Sequence, residues 1–188
     1  MSLKIGITGA SGVLGSELQK KIKKNLIIFK GDLTKKKDVH DWVKNNEFKS
    51  IYHFAAIVPI KEFNKSVKKN FKVNSTGTKF LVDAIIKFQS KKIWFFYSST
   101  SHVYEFNSKI IKETNHTKPI SYYGKTKLLG ERYLLENTKD CSGVNCKVFW
   151  KTAIGWVITC LVVGLTSALL ISQGVYGPTI YKNSCGLN

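Results

Sequence analysis

The amino-acid sequence predicts an α/β fold, a doubly wound parallel sheet with helices on both faces. Three observations carry that prediction. Short apolar runs alternate in strict order with segments of helical period, from residue 3 to about residue 137. A glycine-rich turn joins the first run to the first helix. The stretches suited to chemistry, around residues 32, 55–57 and 98–100, all follow apolar runs and so fall at the carboxyl ends of strands. Such alternation closes into a parallel sheet, and parallel sheets bind ligands beyond those ends.

The first element is the apolar run Leu3–Ile7 in "LKIGITGASGVLGSELQKKIKK", followed by Gly9, Gly12 and Gly15. Leu14, Leu18 and Ile22 then recur at four-residue spacing, one face of a helix. Gly9 permits a tight turn, Gly12 lets the backbone approach a pyrophosphate, and Gly15 lets the helix pack close to its strand. The unpaired N–H groups at the helix start then face the phosphates. A glycine triplet can also be a flexible loop, but its place between strand and helix reads as a dinucleotide-binding unit. The fold expected is accordingly of Rossmann type.

The alternation continues along the chain. "NLIIFK" (25–30) is a strand, and "KKDVHDWVKNN" (36–46) a helix with Val39 and Val43 inward. "SIYHFAA" (50–56) is a strand, and "VNSTGTKFLVDAIIKF" (73–88) a helix with Leu81, Ile85 and Phe88 on one face. "KKIWFFYSS" (91–99) is the next strand, and a helix runs from about Ser121 to Asn137 behind Pro119.

The last helix carries Tyr123 and Lys127 in "YYGKTKLLGERYL". Residues four apart project from one face of a helix, so the two tips can meet at one ligand. A nearby ammonium favours phenolate and lowers a tyrosine's pKa, making it a usable acid or base near neutrality. Ser99 and Thr100 end the preceding strand, where a hydroxyl donor can hold a substrate's reacting oxygen. The pair alone is a common accident. It gains meaning from following a glycine turn and a Ser/Thr strand end in that order.

Six stretches together resemble the extended short-chain dehydrogenase/reductase family, in its nucleotide-sugar epimerase and dehydratase branch. They are "TGASGVLG" (8–15), "GDLT" (31–34), "IYHFAA" (51–56), "VNSTGTKFLVDA" (73–84), "YSSTSHVYE" (97–105) and "YYGKTKLLGE" (122–131). The resemblance implies NAD or NADP as cofactor and a nucleotide sugar as substrate. It implies Tyr123 as catalytic acid/base, with Lys127 binding the nicotinamide ribose and lowering the tyrosine's pKa. Thr100 corresponds to the residue that hydrogen-bonds the substrate hydroxyl, and Asn74 to the helix Asn that completes the tetrad. Cofactor contacts are implied from Gly9, Ser11, Gly12, Val13, Leu14 and Gly15, from Asp32 and Leu33 near the adenine, and from Ala55 and Ala56 beside the pyrophosphate. Ser101-His102 stands where one dehydratase group carries Asp-Glu, which argues against that chemistry. His102 is either an acid/base or a solvated loop residue.

The chain departs from the family in three ways. Only one strand fits between the first helix and "GDLT", as in the sugar-reductase branch, and no acid for a ribose 2′-OH is visible. NAD and NADP therefore both stay open, with Lys30 or Lys35 placed to meet a 2′-phosphate. The family pattern also runs on well past Pro178, in a region that holds the nucleotide part of the substrate; a truncated enzyme is one reading. The third departure is the C-terminal segment.

Composition changes near residue 150. All 12 acidic and 28 of the 30 basic residues precede it, and only Lys151 and Lys182 are charged beyond it. The division expected is a dinucleotide-binding domain at 1–149, an apolar segment at 150–176 and a short tail at 177–188. From Thr152 to Gln173 there are 22 uncharged, mostly apolar residues, enough to cross a bilayer core of roughly 30 Å. Trp150, Trp156 and Tyr176 flank it as interfacial aromatics do, and Gly164 and Ala168 form a small-residue pair. These features predict a single transmembrane helix holding a cytoplasmic domain to a membrane. The other reading is a strand and helix of the domain itself, with "LLISQGVYGP" (169–178) as a family-like strand and turn.

The formal charge of +18 attracts polyanions, but 29 of 30 basic residues are Lys and they are scattered, which disfavours base reading by Arg. Nucleic acid is not an expected partner. The N-terminus enters a strand pattern at once, so no signal peptide is expected. Cys141, Cys146, Cys160 and Cys185 form no Cys-x-x-Cys pair, and no metal is expected. A homodimer is compatible with the family. Two other functions remain in view: a non-catalytic NAD(P)-binding module, and a membrane-bound reductase related to hydroxysteroid dehydrogenases.

Overall fold

In the computed structural model the described residues are 4–58, 67–105, 111, 115–138 and 144–145. All belong to a unit running from Met1 to Lys151. Strand β1 (Lys4–Thr8) leads through the glycine turn into α1 (Val13–Lys21), then β2 (Leu26–Ile28), α2 (Lys36–Lys44) and β3 (Phe48–His53). A helical stretch follows, made of α3 (Val67–Phe71), a π-turn (Lys72–Gly77) and α4 (Thr78–Phe88). Strand β4 (Ile93–Tyr97) ends in a short 3₁₀ turn (Ser101–Val103), and α5 (Tyr122–Thr138) and β5 (Val144–Asn145) complete the order.

The five strands are parallel and lie in the order β2-β1-β3-β4-β5. Because β2 and β3 flank β1 on opposite sides, right-handed crossovers put α1 on one face and α2 on the other. The winding reverses at β1, so the loops leaving β1 and β3 diverge and open a crevice at their carboxyl ends. Register brings these ends level, with Thr8 beside His53 and His53 beside Tyr97.

The core under α2 and α4 is built from Val39, Val43, Ile51, Leu81, Ile85 and Phe95, each at most 1% exposed. Burying each such side chain contributes roughly 1.5–3 kcal/mol. The helical spacing of Val39/Val43 and Leu81/Ile85 thus does what the sequence pattern implies, with Phe88 partly buried against the same cluster.

Two boundaries differ from expectation for physical reasons. Strand β2 begins one residue late because Asn25 takes the left-handed region, φ 60°, while its carbonyl accepts from the Ile5 amide at 2.8 Å. The helix expected from Val73 begins at Val67 instead. Asn74, Ser75, Thr76 and Gly77 are weak helix formers, and the stretch they occupy widens into the π-turn rather than ending the helix.

The expected apolar segment 150–176 and tail 177–188 lie outside the described residues. Among the described residues, no helix is long and apolar enough to cross a membrane.

Candidate active site

The glycine turn is a close-packed junction. Gly9 has φ 72°, and a Cβ there would come within 2.4 Å of the Ala55 nitrogen, so β1 and β3 loops touch through backbone. A Cβ on Gly15 would meet the Gly9 carbonyl at 2.2 Å. Gly12 differs: a Cβ there would meet only the Gly9 oxygen, at 3.4 Å, so its outer side is open. Gly12 also begins α1 without a side-chain cap. An uncapped helix start beside an open glycine suits a pyrophosphate, which accepts from the orphan amides. Ser11 and Val13 are exposed around this start, while Leu14 is half-buried. Gln19 braces the turn by donating to the Ala10 carbonyl at 2.6 Å.

Around β2 the predicted residues are used locally. Asp32 is exposed and its carboxylate accepts from the amide and hydroxyl of Thr34, both at 2.8 Å, which holds its pKa low. Leu33 is buried in the core against Gly77, whose Cβ would meet it at 3.0 Å. Lys30 and Lys35 are exposed.

Thr100 and Tyr123 are brought together. The 3₁₀ turn after β4 points the His102 amide at Thr100 Oγ1, 3.3 Å away, and the Thr100 hydroxyl lies near enough to the Tyr123 phenol to oppose the rise in its pKa. Gly124 allows α5 to approach this turn, since a Cβ there would meet the His102 carbonyl at 2.2 Å. The ring of His102 stands edge-on to Tyr123 at 5.9 Å.

Lys127 lies one turn further along α5 and points inward. Its side chain is 2% exposed, with Nζ 4.0 Å from the centre of the Tyr97 ring. Burial pulls its pKa down to about 7, against the opposing charge of Glu131. The expectation that Lys127 lowers the pKa of Tyr123 is not met: burial pushes the phenol up, and the opposing influence is the Thr100 hydrogen bond. The reason is desolvation, because an ammonium buried against a ring is itself disposed to lose its proton.

Asn74 sits in the π-turn and is 1% exposed. Its Oδ1 accepts from the Ile57 amide at 2.8 Å, and its Nδ2 donates to the Ile57 carbonyl at 3.0 Å and to Thr126 Oγ1 at 3.2 Å. Thr126 passes its own hydrogen to the Tyr123 carbonyl at 2.8 Å. The Asn74 side chain therefore splices the Ala55–Ala56 loop to the helix that carries Tyr123; its amide hydrogens are committed to that task.

Several residues of this region escaped the sequence reading. His53, buried in β3, joins Thr8 at 2.6 Å and Thr78 at 2.9 Å. Ser99 donates to the buried carboxylate of Glu131. The signal for His53 was a polar residue inside the apolar run "IYHFAA"; for Glu131 it was its place four residues after Lys127 on the same helix. Among the described residues no group of His, Cys, Asp and Glu could hold a metal ion.

A parallel sheet that reverses at β1, an open glycine beside an uncapped helix, and Thr100 and Tyr123 at the neighbouring strand end define an α/β protein of Rossmann type. A family model described as the RmlD substrate binding domain matches residues 3–151, and the chain belongs to that family. It is 31% identical over 137 residues to the dTDP-4-dehydrorhamnose reductase of Aggregatibacter actinomycetemcomitans, covering 69% of this chain and 46% of that protein. It is 32% identical over 113 residues to the UDP-glucose 4-epimerase of Bacillus subtilis, covering 59% of this chain and 32% of that one. The crystal structure of the dTDP-4-dehydrorhamnose reductase of Bacillus anthracis in complex with NADP is similar with a TM-score of 0.64 at 26% identity, over 72% of this chain and 50% of that one. The chain thus spans half or less of the length of these relatives.

Proposed function

We propose that the chain forms the cofactor half of an NAD(P)-dependent oxidoreductase or epimerase that acts on a nucleotide sugar. The observation that carries this reading is the close approach of α5 to the turn after β4, where Gly124 packs on the His102 carbonyl and Tyr123 stands against His102 beside Thr100, beyond the same end of the sheet as the open glycine turn. Bound NAD(P) supplies the group that accepts or donates a hydride. Gly12 and the start of α1 would hold its pyrophosphate, with Ala55 and Ala56 alongside. Thr100 orients a sugar hydroxyl, and Tyr123 takes the proton from that oxygen or returns it. Lys127 binds a ribose hydroxyl from its buried position. Asn74 acts through Thr126 to set the height of α5, and so is a positioning residue.

Membership of the family, and relatives that reduce or epimerise nucleotide sugars, support this class of reaction over a hydroxysteroid-type reductase. The test is a fluorescence titration with NADPH and NADH, followed by turnover with a panel of nucleotide sugars for the wild type and Tyr123→Phe. Saturable binding in both, with turnover only in the wild type, is expected. Binding without turnover by either would replace this reading with a non-catalytic module, and unchanged turnover in Tyr123→Phe would remove Tyr123 from the chemistry.

A further inference from the structure

The buried imidazole of His53 has a role that neither the glycine turn nor the approach of Tyr123 to Thr100 explains. It is 1% exposed, at the end of β3, with a hydroxyl at each ring nitrogen. Thr8 Oγ1 is 2.6 Å from Nδ1 and Thr78 Oγ1 is 2.9 Å from Nε2. A hydroxyl has one hydrogen to give. Thr78 gives its hydrogen to the Asn74 carbonyl at 2.8 Å, so it must accept from His53, and Nε2 carries a proton. The ring is Nδ1-unprotonated if neutral, so Thr8 donates to Nδ1. The Thr8 oxygen then accepts from the Ala55 amide, 3.4 Å away.

The hydrogens therefore run in one direction: Ala55 amide to Thr8, Thr8 to His53, His53 to Thr78, and Thr78 to the Asn74 carbonyl. Beyond it, the Asn74 side chain continues through Thr126 to the Tyr123 carbonyl. We propose that His53 is a positioning residue, a neutral Nε2-protonated link that couples the cofactor loop at Ala55 to the π-turn at Asn74 and thereby to the Tyr123 helix. A neutral imidazole offers an acceptor on one side and a donor on the other at this spacing. A charged ring would present two donors, reversing the link to Thr8 and adding a buried cation near Lys127. Burial does hold the ring neutral, with its pKa near 3.

The functional half of this proposal rests on the cofactor-binding reading above; the tautomer does not. Heteronuclear NMR of the imidazole nitrogens in the wild-type protein at neutral pH reads the tautomer directly. The expected result is an unprotonated Nδ1 and a slowly exchanging proton on Nε2; a proton on Nδ1 would overturn the proposal. The second arm measures NADPH affinity in folded His53→Leu and His53→Gln. Leu breaks both links and is expected to weaken binding about tenfold, while Gln keeps a donor toward Thr78 and recovers to within about threefold of the wild type. Equal weakening in both variants, or none, would overturn the coupling. Absence of NADPH binding by the wild type would sink the cofactor reading and the coupling with it, with the tautomer still decided by NMR.

Discussion

The Asn74 amide reaches from the π-turn to Thr126 on α5 at 3.2 Å, and Thr126 in turn holds the carbonyl of Tyr123 at 2.8 Å. Two segments separated by about fifty residues are thus locked at the level of the phenol. Asn74→Ala strips partners from the Ile57 amide and carbonyl as well as from Thr126. Unsatisfied buried groups of this kind cost roughly 1–3 kcal/mol each. The expected outcome in chemical denaturation is a loss of about 2–4 kcal/mol. A loss below about 0.5 kcal/mol would mean that the splice carries little of the stability.

Two glycines of the turn are predicted to behave differently when given a methyl group. At Gly15 the new Cβ would lie 2.2 Å from the Gly9 carbonyl, where backbone cannot yield, so Gly15→Ala should lower stability by about 1–3 kcal/mol. At Gly12 the nearest atom is 3.4 Å away. Gly12→Ala should fold within about 0.5 kcal/mol of the wild type and lose about tenfold or more in NADPH affinity. Melting curves read beside cofactor titrations separate the two effects.

Cofactor choice is expected to favour NADPH. Asp32 spends its carboxylate on Thr34, and the exposed residue just past β2 is Lys30 rather than an acid. An ammonium there suits a 2′-phosphate. Lys30→Glu should weaken NADPH about tenfold while leaving NADH within about twofold. Equal affinities in the wild type would count against the assignment.

Stability should fall in mild acid through His53. Its native pKa of about 3 lies below the ordinary 6.5, so between those values the unfolded chain binds a proton that the native chain refuses. Unfolding then takes up a proton, and stability declines as pH drops through that interval, by up to about 1.4 kcal/mol per pH unit. Denaturation midpoints of His53→Gln should lack this component. A parallel decline in both proteins would assign the acid sensitivity elsewhere.

Lys127 predicts the complementary slope in base. Its native pKa of about 7 lies below the ordinary 10.5, so the unfolded chain again holds more protons between the two. The cost of burying the ammonium is full below pH 7 and is relieved as pH rises toward 10.5. Wild-type stability should therefore gain a rising component over that window which Lys127→Met lacks. Urea titrations across the range, compared between the two proteins, measure it.

Much of the architecture was legible from residue order. Val39 with Val43 and Leu81 with Ile85 mark helix faces by spacing alone, and the run Leu3–Ile7 before Gly9 marks a strand and its turn. Such local patterns survive because a period of 3.6 residues or an abrupt glycine needs no distant partner to be read. The π-turn was not legible. Its residues are poor helix formers, and what holds Asn74 there is Thr126 and Ile57, neither of them near it in sequence.

For the site, the sequence by itself determined which residue types stand at the strand ends and that Tyr123 and Lys127 share a helix face. It also placed Gly9, Gly12 and Gly15 at the junction of the first strand and the first helix. The tertiary structure decided their states. Burial, a property of every neighbour at once, raises the Tyr123 phenol and brings Lys127 close to neutrality, whereas spacing alone implied a charged lysine lowering the tyrosine. Packing likewise turned His53 from one more residue of a strand into a buried link between Thr8 and Thr78. A charge's free energy depends on the solvent it has lost, and only the folded chain determines how much solvent remains.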